Sequence, residues 1–346
     1  MGHEGLNNKK RNRNGDAKGS QDAAIYGPGK GRSWTTSLAI PGNIIDMNTS
    51  LESRSIVASQ IARAISTFRI DEVIILSTST SALDSTAAST DSATFLLRVL
   101  SYLETPPYMR DRLFQPGKSA IHPDLAHIST LPAESTALPH HASYADTLYR
   151  EGVTLKAQEE GTYHRLVNCG LPNGILASIP DPIPKSTRVT VKLSSQTPSG
   201  DRTSIPAEVV APSEPREEIG QYLGYETRTS PSLVSLFEDC PYEGGYDISI
   251  LVSDSEGDDA GNISAANAKF QHILLAFGGA GNFEELTKND PKLGSLDLDN
   301  FADLFDHTVN VAKGLPFANS GSLRVEELVL VGLAGLKPLL AEQYRS

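Results

Sequence analysis

The chain has little cysteine: Cys169 and Cys240 are the two in 346 residues. Two thiols cannot build a disulfide framework or a four-cysteine zinc site. Two buried thiols in a reducing compartment are expected instead, and no metal. Long apolar runs are missing as well. The longest uncharged one is the nine residues 328–336, against about 18 for a membrane-crossing helix, so no membrane span is expected. Residues 1–24 lack the apolar segment of a signal peptide. Met1-Gly2 opens like a myristoylation site, but Leu6 stands where Ser or Thr is required.

What is there fits a folded protein: 39% hydrophobic residues, with 28 Gly and 21 Pro. Length favours two domains, or one domain carrying a large insertion. The net charge is −12, yet residues 1–33 hold seven Lys/Arg against three acids, leaving −16 on the rest. An acidic body argues against non-specific coating of nucleic acid and still permits a local basic groove. The cluster Lys9-Lys10-Arg11-Asn12-Arg13 reads as a nuclear signal, a phosphate-binding arm, or a solvated, disordered tail that aids solubility.

Ser37 to Ile40 followed by Pro41-Gly42 reads as a strand ending in a turn. Thr49 and Glu52 have capping-box spacing, ahead of a helical face of Val57, Ile61, Ala64, Ile65 and Phe68. Glu72 to Leu76 is a buried strand, and 77–92 a polar loop. A second helix carries Phe95, Leu96, Val99, Leu100 and Leu103 and stops at Pro106-Pro107. This alternation opens an α/β domain. From about Phe114 to Pro215 the helical period is lost. Short β-like runs replace it at 152–155, 163–167, 175–179, 187–193 and 207–210, which suggests a small inserted barrel. The host resumes with strands at 222–227, 246–252, 272–277 and 307–311, a short helix opened by Ser230-Pro231, and one long terminal helix over 324–344. The expected organisation is a tail (1–33), an α/β host (34–113 and 217–346) and a β insert (114–216).

The strongest local signal is His272-Ile-Leu-Leu-Ala-Phe-Gly-Gly-Ala-Gly-Asn282: an apolar strand runs into glycines, and Asn282 with Glu285 caps a helix. Glycines there admit a ligand to the backbone, and helix-start amides are donors. A tight strand-to-helix turn explains the same residues equally well. Gly278, Gly279 and Gly281 have neither the lysine of a phosphate loop nor dinucleotide spacing. Arg324-Val-Glu-Glu327 opens the last helix, and Ser253-Asp-Ser-Glu-Gly257 follows another strand. All three segments follow strands of one α/β sheet, at the carboxyl ends where such sheets bind ligands.

Taken together, these segments resemble the SPOUT superfamily of S-adenosylmethionine-dependent RNA methyltransferases, and within it the RNA methyltransferases with an inserted OB-like domain. The stretches that carry the resemblance run from Leu38-Ala-Ile-Pro-Gly42 and Gln60-Ile-Ala-Arg-Ala64 through Pro139-His-His141, Arg150-Glu-Gly152, Val167-Asn-Cys-Gly170 and Arg188-Val-Thr-Val191 to Gly245-Tyr-Asp247, Phe277-Gly-Gly279 and Arg324-Val-Glu-Glu327. The resemblance implies a deep trefoil knot, a homodimer with its active site near the subunit boundary, and, for the animal relative, association with kinetochores and spindles. It places S-adenosyl-L-methionine among Ser253, Phe277, Gly278, Gly279, Asn310, Val311, Ser320, Ser322 and Arg324. Relatives carry an acid, an Arg and a Gly after the first of these. Here Asp254-Ser255-Glu256-Gly257 lacks the cation, with Arg324 or Arg228 available to compensate.

The resemblance also implies methyl transfer to a base in structured, ribosomal RNA, with a uridine-type nitrogen as acceptor; the basic tail points to nuclear placement, nucleolar or spindle-associated, with the cytoplasm as the alternative. Arg54 and Arg63 match the family on the first helix, but nine residues put them about 180° apart. Arg54 is the catalytic or RNA candidate; Arg63 is structural or an RNA contact. In the insert, Arg165, Arg188 and Lys192, with Tyr163 and His164, are the RNA-binding candidates. His140 and His141 are loop or RNA residues ahead of metal ligands. Two other readings remain: a non-catalytic RNA- or spindle-binding protein of the same fold, and a nucleotide-binding α/β enzyme using the 277–282 turn.

Overall fold

The computed structural model describes residues 30–48, 50–77, 91–114, 121–130, 148–155, 165–195, 204–260, 263, 269–290, 293, 301–314 and 323–345. Along the chain run β1 (Thr35–Pro41), α1 (Leu51–Thr67), β2 (Glu72–Leu76), α2 (Ser92–Glu104), α3 (Pro107–Leu113) and α4 (Ala126–Thr130). Then come β3 (Tyr149–Thr154), β4 (Arg165–Asn168), β5 (Leu176–Ile179), β6 (Arg188–Leu193), β7 (Ser204–Val210) and α5 (Glu214–Ile219). The chain continues through β8 (Glu226–Ser230), α6 (Leu233–Glu238), β9 (Ile248–Ser253), β10 (Asp258–Asp259), β11 (His272–Phe277) and α7 (Ala280–Asn289). It ends with β12 (His307–Asn310), α8 (Val325–Gly335) and α9 (Lys337–Arg345).

One sheet has the order β10-β12-β9-β11-β1-β2-β8, with parallel pairing throughout. Every residue of β1 and β2 is buried. That is why these strands read as unbroken apolar runs: helices cover both faces of a parallel sheet. Leu38, Ile40, Val73, Ile75, Leu275 and Phe277 face one core with α1, α2 and α8. Ala39, Ile74, Leu274 and Ala276 face the other with Leu233, Leu236 and Phe283. Strands β3-β4-β5-β7-β6 close into a separate barrel around Val167, Ala177, Ile179, Val191 and Ile205.

Several local expectations are corrected. Ser50 caps α1, its side chain accepting from Ser53 N at 3.1 Å, and Thr49 lies outside the described residues. Of the expected strand over 222–227, Tyr222 and Tyr225 are buried anchors ahead of β8. Their hydroxyls donate to Ile70 O and Leu100 O at 2.9 and 3.0 Å. The terminal helix is two helices, because Pro338 has no N–H to reach the Ala334 carbonyl. No helix among the described residues is long and apolar enough to cross a membrane.

Candidate methyl-donor site and the family of the chain

Strands β9, β11 and β12 lie side by side, so their carboxyl ends bring residues 253–254, 277–279 and 310–311 to one edge. Direct bonds tie the turns after β9 and β12 together. Val311 N donates to Ser253 O at 3.0 Å, and Ala312 N to Asn310 Oδ1 at 2.9 Å. Ser253 Oγ accepts from Ser255 N and Glu256 N at 3.2 and 3.3 Å, which turns the chain sharply after β9. Asp254 Oδ2 accepts from Leu323 N at 2.7 Å, joining the turn after β9 to the start of α8. Arg324 N then donates to the Glu327 carboxylate at 2.9 Å, closing the first turn of α8.

Small residues are needed at two places here. A Cβ on Gly278 would stand 2.8 Å from the Phe283 ring and 3.2 Å from Pro41, where β1 ends against β11. A Cβ on Gly332 of α8 would stand 2.5 Å from the Phe277 ring and 2.8 Å from Val252, so α8 lies directly beneath the last residues of β9 and β11. Gly279, in extended conformation, is the N-cap of α7 and makes no side-chain cap bond. Asn282 falls inside that helix and does not cap it, and Glu285 accepts from Asn43 Nδ2 at 2.6 Å, linking the turn after β1 to α7. Around Gly281 a Cβ would meet no described atom within 4 Å.

The predicted residues separate into groups. Ser253, Phe277, Gly278, Gly279, Asn310, Val311 and Arg324 come together at this edge; Ser320 and Ser322 lie outside the described residues, as do Tyr163, His164, His140 and His141. The Arg324 side chain is 77% exposed. Arg54 sits in the first turn of α1, on the same edge as Pro41, its Nε donating to Asn48 O at 2.9 Å. Arg63 is exposed and more than two turns further down α1. Arg228 cannot replace the missing cation. It lies on β8 at the far end of the sheet order, Nε 2.6 Å from Glu72 Oε1 and Nη2 3.1 Å from the Tyr246 hydroxyl.

In the barrel, Arg165 is half-buried at the start of β4. Lys192 is partly engaged, 3.3 Å from Glu214 Oε1 and 4.9 Å from the centroid of the Tyr149 ring. Arg188 is engaged by two carboxylates, Glu104 of α2 and Glu151 of β3, so its guanidinium joins the barrel to the helix that covers the sheet. Lys185, which sequence patterns did not single out, is exposed in the turn before β6. Among the described residues no group of three or more His, Cys, Asp or Glu is placed to hold a metal ion.

The family model described as "Putative RNA methyltransferase" matches residues 35–336. The 28S rRNA (uridine-N(3))-methyltransferase of Drosophila melanogaster is 36% identical over 325 residues, 89% of this chain and 63% of that protein. Its Homo sapiens counterpart is 32% identical over 331 residues, 93% of this chain and 83% of that protein. The Mus musculus protein is 33% identical over 322 residues, 90% and 78% of the respective lengths. The chain thus spans less than two thirds of the insect relative and more than three quarters of the mammalian ones. With the model matching nearly the whole sheet-and-barrel region, the chain belongs to this RNA methyltransferase family.

Proposed function

We propose that the chain methylates N3 of a uridine in the RNA of the large ribosomal subunit, with S-adenosyl-L-methionine as donor. The observation that carries this reading is the convergence of three strand ends at one edge, with the turns after β9 and β12 and the start of α8 bonded to one another through Ser253, Asp254, Val311 and Leu323. The relatives' substrate, as their names print it, supplies the acceptor. In this reading the turns are those of a SPOUT trefoil knot. Residues 34–113 and 217–346 form the methyltransferase domain, 114–216 is the OB-like insert, and the protein works in the nucleus or nucleolus.

The residues fit such a cofactor by the chemistry of their donors. The first amides of α7 have no intrahelical partner, space opens over Gly281 among the described residues, and Arg324, 4.0 Å from Glu326 Oε1 and 77% exposed, offers a guanidinium for a carboxylate. Ser253, Phe277, Gly278, Gly279, Asn310, Val311 and Arg324 would hold the cofactor. When bound, it supplies a methyl group made electrophilic by the sulfonium, so no protein nucleophile is required. The protein's part is to align the acceptor nitrogen and stabilise it once solvent water has taken its proton. A guanidinium cannot take that proton. Arg54, held by Asn48 O, is suited to donate to a uracil carbonyl and stabilise the negative charge that spreads onto it.

A homodimer is part of the proposal. Met47, Ile56 and Leu330 are 92, 42 and 50% exposed, and the helices carrying the last two, α1 and α8, contact each other. Such a patch suits a second copy of the chain. The test of function is nucleoside analysis of rRNA from cells with and without the protein, followed by labelled-methyl transfer in vitro. Loss of 3-methyluridine that purified protein restores is expected. Unchanged nucleosides, or RNA binding without transfer, refute the reading.

A further inference from the structure

Among the described residues, an ion cluster joins the barrel to the helix that covers the sheet. Glu104, the last residue of α2, is 2% exposed, and its two oxygens accept from Nη1 and Nη2 of Arg188 at 2.6 and 2.5 Å. Arg188, the first residue of β6, also donates through Nε to Glu151 Oε1 on β3 at 2.8 Å. Tyr108 of α3 completes the junction. Its hydroxyl donates to Glu151 O at 2.9 Å, and its ring lies where a Cβ on Gly170 would come within 2.4 Å. A planar guanidinium forked between two carboxylates admits a narrow range of geometries, and removing it leaves two buried acids side by side.

The junction is at the edge of the sheet away from the site. Glu104 ends a helix that runs back from the carboxyl edge. On the barrel's exit side, Arg32 N donates to Arg216 O at 2.8 Å, and Tyr222, just beyond α5, anchors to Ile70 before β2. These contacts all lie at the amino-terminal ends of the strands. The seven residues of β1 separate that edge from Pro41 by about 20 Å.

Resting on the reading of this chain as an RNA methyltransferase, we propose that Arg188 is a positioning residue: by clasping Glu104 and Glu151 it holds the barrel as a fixed second RNA contact, remote from the methyl-transfer turns. The substrate class follows. It is an RNA that reaches from the methyl-transfer edge to the barrel, and a minimal hairpin carrying the uridine alone is a poor substrate.

The test compares wild type, Arg188→Gln and Arg188→Lys in the full chain, with spin labels on Asp181→Cys (barrel) and Thr67→Cys (end of α1) in a Cys240→Ser background. Cys169 is fully buried. Wild type is expected to give one narrow distance, Arg188→Gln a broad one, and Arg188→Lys an intermediate one. Methyl transfer to a long rRNA fragment should lose about tenfold or more in kcat/KM, mainly through KM, while S-adenosylhomocysteine affinity and transfer to the hairpin hold. A narrow distance retained in Arg188→Gln, or wild type using hairpin and long fragment equally, overturns the proposal. Wild type methylating neither RNA refutes the reading of function, and the distances still decide whether the clasp exists.

Discussion

Replacing Gly332 with leucine tests whether α8 seats beneath the donor turns. The new Cβ would stand 2.5 Å from the Phe277 ring and 2.8 Å from Val252 Cγ1, about 1 Å inside the 3.5–4.0 Å optimum for carbon atoms. Neither neighbour can yield into solvent, since both are fully buried. Overpacking of this kind costs about 3 kcal/mol or more. Helix propensity offsets about 1 kcal/mol, because leucine is the better helix former. The net loss of about 2 kcal/mol corresponds to a fall in Tm of about 4–8 °C for a domain of this size. Because Phe277 precedes Gly278 directly, S-adenosylhomocysteine should also bind more weakly. Differential scanning fluorimetry with and without that ligand reads both effects. A Tm at or above wild type, with ligand stabilisation intact, would refute the placement of α8.

Three further outcomes are expected. Asp254→Ala should weaken S-adenosylhomocysteine binding by calorimetry, since it releases Leu323 N, whereas Asp254→Asn, which keeps an acceptor oxygen, should retain most of it; equal losses count against the clamp. Leu330→Glu should convert the proposed dimer to monomers in sedimentation velocity, because it charges an exposed leucine; an unchanged sedimentation coefficient counts against a dimer through α8. Burial, with Glu104 and Glu226 adding to it and Arg188 opposing it, pushes the Glu151 carboxyl up to about 7. A raised folded-state value stabilises fully below the ordinary 4.5 and is lost as pH rises through about 7. The Tm should therefore fall more between about pH 5 and pH 8 in wild type than in Glu151→Gln, and a steeper fall in the variant would reverse the assignment.

The strands were the most legible part of the chain. Glu72–Leu76 and His272–Phe277 appear in the structure with the expected bounds, because burial on both faces leaves a continuous apolar run. The β-like runs of the insert all became barrel strands, although alternation alone does not reveal that they close. Helices α3 and α5 escaped notice, since seven and six residues are too few to display a helical period. Tyr222 and Tyr225 read as strand because buried aromatic anchors and strand residues look alike in composition. Long-range pairings were the least legible. Arg188 looked like an RNA contact and Arg228 like a spare cation for the donor site. Their carboxylate partners stand 84 and 156 residues away in the chain, where no local pattern reports them. The turns proposed for the donor were visible as glycines after an apolar strand, but the Asp254–Leu323 bond that draws the first turn to the last was not.

Titration of S-adenosylhomocysteine into the purified protein, followed by calorimetry, addresses the methyl-donor site without depending on which RNA is used. Saturable binding is expected, lost when Gly278→Val forces the Phe283 ring and Pro41 apart. Absence of binding by wild type at millimolar ligand, or equal binding by Gly278→Val, would contradict a methyl-donor site at the ends of β9, β11 and β12.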